Sequence, residues 1–256
     1  MPVFCQPRLT PIILVLAAFQ ARAQPVPASH APGIVFKSVL VAGDSSLPVF
    51  DNALAAVLAD LQASRSKTPP GIQLLSATKI GVAQHHARSA TLDHVLGAVA
   101  GLKPVLGQGC FMFATSHGVE HAGLYLSMHD EVLTPKALDR ALVQGCSTAP
   151  TVVVVSSCFS GAFAQPPMTR ANRVILTAAR ADRTSFGCQA GRTYTVYDKC
   201  LLDALVRDGT WTQVYATIKT CVGTEEKRED VEPSEPQAWF GAEVKNMALP
   251  VRAGAP

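Results

Sequence analysis

Charge is scarce in this chain: only 16% of its 256 residues are Asp, Glu, Lys or Arg, and the formal net charge is +3 at pH 7. No block of basic residues occurs, which argues against nucleic acid or an acidic membrane surface as a partner. Internal repeats are absent, so one core is expected rather than a stacked array. Long apolar runs are also lacking. The run near the N terminus, Ile12 to Phe19, is far shorter than the ~20 residues that a membrane-spanning helix needs. With Arg8 before it and Ala21-Arg22-Ala23 after it, this run reads as an export leader cleaved after Ala23. Residues 1–23 are thus assigned as a signal peptide, 24–33 as a Pro/Ala-rich tail, and 34–256 as a single domain. Loss of Arg8 and Arg22 takes the net charge from +3 to +1. The expected destination is the periplasm or the medium, with no membrane anchor after cleavage. A hydrophobic content of 48% is enough for one well-buried domain.

The densest apolar signal is Thr151 to Phe163, T-V-V-V-V-S-S-C-F-S-G-A-F. Four successive valines suit a strand buried on both faces of a parallel sheet. The run ends at Ser156-Ser157-Cys158, so the thiol would sit at the carboxyl end of a central strand, where open α/β sheets form their crevices. Alone, such a cysteine is equally readable as a small buried hydrophobe. A second stretch, Cys110 to Gly118 (C-F-M-F-A-T-S-H-G), repeats the design: an apolar run, small hydroxyl residues, one reactive side chain and a glycine. Between the two, Leu133-Thr134-Pro135 opens a helix that continues through Leu138 and Leu142 and ends at Gly145. A strand–helix–strand crossover makes the two strands parallel. Cys158 and His117 then emerge on one sheet edge, as a nucleophile and its base, and this chemistry requires no metal or cofactor.

Elsewhere, Ile34 to Ala42 reads as the first central strand and ends in Gly43-Asp44. Asn52 to Leu61 reads as a helix with its apolar stripe on the sheet. Thr68 to Gly71 is a turn and Ile72 to Ala77 a second strand. Ala90 to Leu102 is a helix, Arg173 to Ala178 a further strand, and Tyr197–Val206 with Trp211–Val222 a helical hairpin. Glu225 to Glu235 reads as a charged loop with no apolar face. The alternation predicts an α/β protein: a three-layer α/β/α sandwich with a mostly parallel central sheet. Six cysteines remain after the leader. Cys110 and Cys146 precede the two neighbouring strands and can bridge there; Cys200 and Cys221 lie at similar heights on the helical hairpin. Free buried thiols are the alternative. Cys158 and Cys188 are left unpaired.

His117-Gly118-Val119-Glu120-His121 spells H-x-x-E-H, a zinc-peptidase pattern that requires both histidines on one helix. Here a strand leads in and Gly118 and Gly123 break any helix, so His121 reads as a loop residue. His85, His86 and His94 fall in a polar, surface-like segment, and His129-Asp130 reads as a turn.

Ser116-His117-Gly118, Ser157-Cys158-Phe159-Ser160-Gly161, Leu176-Thr177-Ala178-Ala179 and Ser185-Phe186-Gly187-Cys188, in that order, resemble the legumain-like C13 cysteine peptidases, most closely a bacterial branch within the caspase-like clan. The similarity runs from about Val35 to Gly241, where Ser234-x-Pro236-Gln237 adds to it. The resemblance implies a caspase-like fold and an endopeptidase acting on peptide or protein substrates through a Cys158 thioester. His117 would be the general base and later the acid, with the N–H groups of Gly118 and Cys158 as oxyanion hole. Capture of the thioester by an amine would give transpeptidation, and a caspase-like pseudoenzyme that only binds peptides is the alternative. Asparagine-specific members surround the substrate side chain with one basic and two acidic residues. The corresponding region here offers Asp51 and Asn52 with no arginine, Ser156 in place of an acid, and Asp198, with Asp182, Arg183 and Ser185 bordering the same pocket. Relaxed specificity follows.

Overall fold

The structure is a computed structural model that describes residues 34–63, 71–206 and 209–250. The leader, the Pro/Ala-rich tail and most of the Thr68–Gly71 turn lie outside the described residues. A seven-stranded sheet is formed by β1 (Val35–Ala42), β2 (Ile72–Ser76), β3 (Arg88–Ser89), β4 (Gln108–Thr115), β8 (Thr151–Ser156), β9 (Arg173–Thr177) and β10 (Gln237–Phe240), in the order β10-β9-β8-β4-β1-β2-β3. Every pairing is parallel except β9–β10. A small antiparallel sheet of β5 (Gly118–Val119), β6 (Gly123–Leu126) and β7 (Glu131–Leu133) follows β4.

The unbroken apolar runs are explained by burial on both faces. Leu40, Phe111, Phe113, Val152 and Val154 pack against α1 (Val49–Ala63), α5 (Val196–Leu205) and α6 (Trp211–Glu229). Val39, Val41, Met112, Val153 and Val155 pack against α3 (Leu92–Ala100) and α4 (Pro135–Cys146). The helices start where threonine side chains accept orphan N–H groups: Thr91 from His94, Thr134 from Ala137, Thr195 from Asp198, and Thr210 in a capping box with Gln213. The fold is the expected α/β sandwich with a mostly parallel sheet. Among the described residues no helix is long and apolar enough to cross a membrane.

Both expected disulfides are present. Cys110–Cys146 ties β4 to the end of α4, and Cys200–Cys221 ties α5 to α6. Cys110 lies inside its strand rather than before it, because pairing with β1 begins at Gln108.

Two expectations are corrected. Gly145 does not end α4, which runs on to Cys146 and is capped by Ser147 at φ 50°. Its role is close packing, since a Cβ at 145 would lie 1.9 Å from the Val99 carbonyl oxygen of α3. Residues 225–229 are not loop but the last turns of α6. A helix already nucleated extends cheaply. The Glu225–Arg228 pair adds to this, and so does the buried Glu226 carboxylate, which accepts the Ser234 N–H at 2.9 Å. Of the histidines expected at the surface, His86 is exposed, and His85 and His94 are half-buried against local structure. His85 ends α2 (Lys79–His85), His86 is its left-handed cap, and His94 Nδ1 lies 3.0 Å from the Ser89 carbonyl.

Candidate active site

The parallel register of β4 and β8 sets Thr115 opposite Ser156. Two residues further along each chain stand His117 and Cys158, at the carboxyl edge of adjacent central strands. Gly118 completes the approach: a Cβ there would be 1.9 Å from the Cys158 carbonyl oxygen and 3.0 Å from its nitrogen. Only a residue without a side chain lets the two strand ends meet this closely.

The chain turns sharply after Cys158. Phe159 has φ 57°, and a short 3-10 turn spans Ser160–Ala164. That turn is held by the segment after β9. Phe159 N–H donates to the Arg183 carbonyl at 2.8 Å, and the Ser160 hydroxyl accepts from the N–H groups of Ala178 and Ala179 at 3.0 and 3.2 Å. Cys158 is an unpaired, half-buried thiol, and Ser185 N–H points at its Sγ from 3.2 Å, with Ser185 Oγ at 3.7 Å. Cys188, the other free thiol, has its pKa pushed up to about 11, mainly by burial and then by the nearby Cys158 and Asp198 side chains. It stays protonated at neutral pH.

The imidazole of His117 is half-buried and packs edge-on against Phe50 of α1, with ring centroids 5.3 Å apart. Its carbonyl accepts from Tyr125 N–H of β6 at 2.9 Å, and its Nε2 lies 3.4 Å from Ser46 Oγ. Phe50, Ser46 and Asp44 were not singled out as site residues in the sequence. The available signal was the G-D-S-S run directly after the first strand, at the same sheet edge as His117. The H-x-x-E-H residues run through β5 and the following turn, so the single helix that pattern requires is not formed. His121 has φ 57° and is exposed, facing Glu120 at 3.6 Å, and His129 and Asp130 form an exposed turn between β6 and β7.

The residues expected around the substrate side chain divide into three groups. Ser185 stands directly beside Cys158 Sγ. Ser156 and Asp198 lie together beneath the edge, both buried. Thr115 Oγ1 donates to Asp198 Oδ2 at 2.8 Å, while Oδ1 is buried with no partner. Burial pushes Asp198 up to about 6, partly countered by the hydroxyls of Ser156, Thr115 and Thr195. Asp182 and Arg183 line a shallow depression beside the turn at Phe159, with Thr184, Glu232 and Pro233. Exposed Asp182 is paired with Arg180, which holds it below the usual carboxylate range, and Arg183 donates to the Pro233 carbonyl at 2.7 Å. Asp51 and Asn52 are engaged elsewhere. The Asp51 carboxylate accepts from the Ser76 and Thr78 hydroxyls, tying α1 to β2, and the Asn52 amide donates to the Thr193 carbonyl at 3.0 Å.

Residues 102–251 match the model of the peptidase C13 family, a span that takes in β4, β8, α4 to α6 and both His117 and Cys158. A similar solved structure is that of caspase-1 from Spodoptera frugiperda, with a TM-score of 0.55 and 10% identity, covering 92% of this chain and 100% of that one. At that identity the likeness speaks for the fold alone, which is caspase-like. No curated protein matches by sequence. With the family model covering more than half of the residues, the chain belongs to the peptidase C13 family and is a cysteine-type peptidase of peptide or protein substrates.

Proposed function

We propose that the protein is an exported cysteine endopeptidase in which Cys158 is the nucleophile and His117 the general base and later acid. The observation that carries this reading is the meeting of Gly118 with the Cys158 backbone at the carboxyl edge of β4 and β8. His117 takes the thiol proton, and the thiolate adds to the scissile carbonyl. The N–H groups of Gly118 and Cys158 receive the developing oxyanion. The imidazolium then returns the proton to the leaving amine, and water or a second amine resolves the thioester. Ser185, whose N–H already points at Sγ, borders the nucleophile on the substrate side. The two disulfides and the N-terminal leader pattern support export, because such bridges persist in oxidising compartments.

Specificity rests on Asp198 at the base of the site, with Ser156 beside it where asparagine-specific relatives carry an acid, and with Asp182 and Arg183 at the rim. Polar side chains are accepted with weaker discrimination than a strict asparagine pocket would impose.

Kinetics of point variants test the roles. Cys158→Ala should lower kcat by several orders of magnitude with the fold intact, and His117→Ala nearly as much. His121→Ala should be mild. Equal losses at positions 117, 120 and 121, restored by zinc, would overturn the thiol mechanism in favour of a metal site.

A further inference from the structure

The loop between β1 and α1 carries two side chains that the mechanism above leaves unused. Asp44 follows the end of β1 at the same sheet edge as the reacting pair, yet is only 4% exposed. Its Oδ1 accepts from the Ser46 N–H at 2.7 Å and also from the Ser46 hydroxyl. Ser46 Oγ in turn lies 3.4 Å from His117 Nε2. The loop is fixed from the far side: Ser127 N–H donates to the Gly43 carbonyl at 2.9 Å, and Ser45 N–H to the Ser127 hydroxyl at 3.1 Å. A Cβ on Gly43 would sit 2.9 Å from both Ser116 Oγ and the Tyr125 carbonyl oxygen, so the loop is pressed onto the strand that delivers His117.

We propose that Asp44 and Ser46 are positioning residues that orient and polarise His117, a role that rests on the Cys158–His117 reading. With its O–H committed to Asp44, the Ser46 oxygen has a lone pair for the imidazole and accepts the Nε2–H. That places the ring proton on Nε2 and leaves the Nδ1 lone pair free. When the Cys158 S–H bond breaks, its proton forms the new N–H bond at Nδ1, and the electron pair stays on sulfur. The resulting imidazolium is held by a hydrogen bond backed by a buried carboxylate, and Phe50 keeps the ring from rotating away. The same arrangement releases the Nδ1 proton to the leaving amine.

Steady-state kinetics on a fluorogenic peptide, with unfolding temperatures, test this. Ser46 is exposed, so Ser46→Ala should fold normally. Its kcat should fall by roughly 10- to 100-fold, the reach of one hydrogen bond to a charged group, with KM within about twofold. Ser46→Thr, which restores a hydroxyl, should recover most of the rate. Asp44→Asn keeps an oxygen for the Ser46 N–H but loses the charge, and should lower kcat similarly. The double variant should lose no more than the worse single one, because the two residues act as one chain. Unchanged kcat in Ser46→Ala, failure of threonine to rescue, or losses that multiply in the double variant would overturn the proposal. If Cys158→Ala and His117→Ala are inactive while Ser46→Ala is not impaired, only the positioning role fails. Full activity in Cys158→Ala would remove the mechanism beneath it as well.

Discussion

Replacing Gly118 by alanine adds one methyl group to the site without changing the side chain of His117 or Cys158. The new Cβ would lie 1.9 Å from the Cys158 carbonyl oxygen, against an ordinary contact limit of about 3.4 Å, so the two strand ends must part by about 1.5 Å. Backbone atoms line the clash, and no flexible side chain can move aside instead. A misplacement of about 1 Å at reacting groups can cost ~100-fold in rate, so kcat/KM should fall by at least that factor. Overpacking in a tight interior costs about 1–3 kcal/mol, which should leave the protein folded but with a lower Tm. Gly97 on α3 is the control, because a Cβ there meets no heavy atom within 4 Å. Alanine at 97 should stabilise the helix by roughly 0.4–1 kcal/mol and leave turnover alone. The assay is peptide hydrolysis beside thermal unfolding for the two variants. Wild-type kcat/KM in Gly118→Ala would refute the close meeting of residues 118 and 158 on which the mechanism depends.

Burial raises Asp198 to about 6 from an unfolded value near 3.8, so the folded state holds its proton more tightly. This contribution to stability is therefore present below about pH 4 and lost as pH rises through 6. Asp198→Asn should flatten that slope, gaining up to roughly 3 kcal/mol over the wild type above pH 6, and parallel denaturant curves at pH 4 and pH 7 would show it. The mature protein should titrate two thiols when denatured without reductant, Cys158 and Cys188; breaking either bridge should cost roughly 3–4 kcal/mol. A peptide-library profile should show several polar residues accepted at the cleavage position. Cleavage after asparagine alone would mean that residues other than Ser156 and Asp198 complete the pocket.

The central sheet was legible because β1, β4, β8 and β9 each hold a run of three or more apolar residues, and burial on both faces writes itself plainly into composition. The same runs, ending in Ser116-His117 and Ser157-Cys158, place both residues just past the carboxyl ends of adjacent parallel strands. Short edge elements were not legible. β3 and β5 have two residues each, and β10 carries Trp239 partly exposed on an edge, so none shows a period long enough to read. The last turns of α6 were read as loop because their stabilising partner, the Ser234 N–H on buried Glu226, lies eight residues away in the chain. Asp51 shows the limit at the site itself. Its place after the first strand suggested the substrate pocket, but rotation of α1 turns its carboxylate to Ser76 and Thr78. Asp44 and Ser46 stood in view in the Gly43-Asp44-Ser45-Ser46 run. Their relation to His117 depends on β1 and β4 being neighbours in the sheet, which spacing alone does not state.

The central claim is that Cys158, and not Cys188, performs the chemistry. Native protein should be alkylated by iodoacetamide at Cys158, mapped by peptide mass spectrometry, with peptide hydrolysis lost in proportion to label. Cys188 should react only on unfolding, since burial holds it as a thiol. Activity that persists after complete modification of Cys158 would contradict the account.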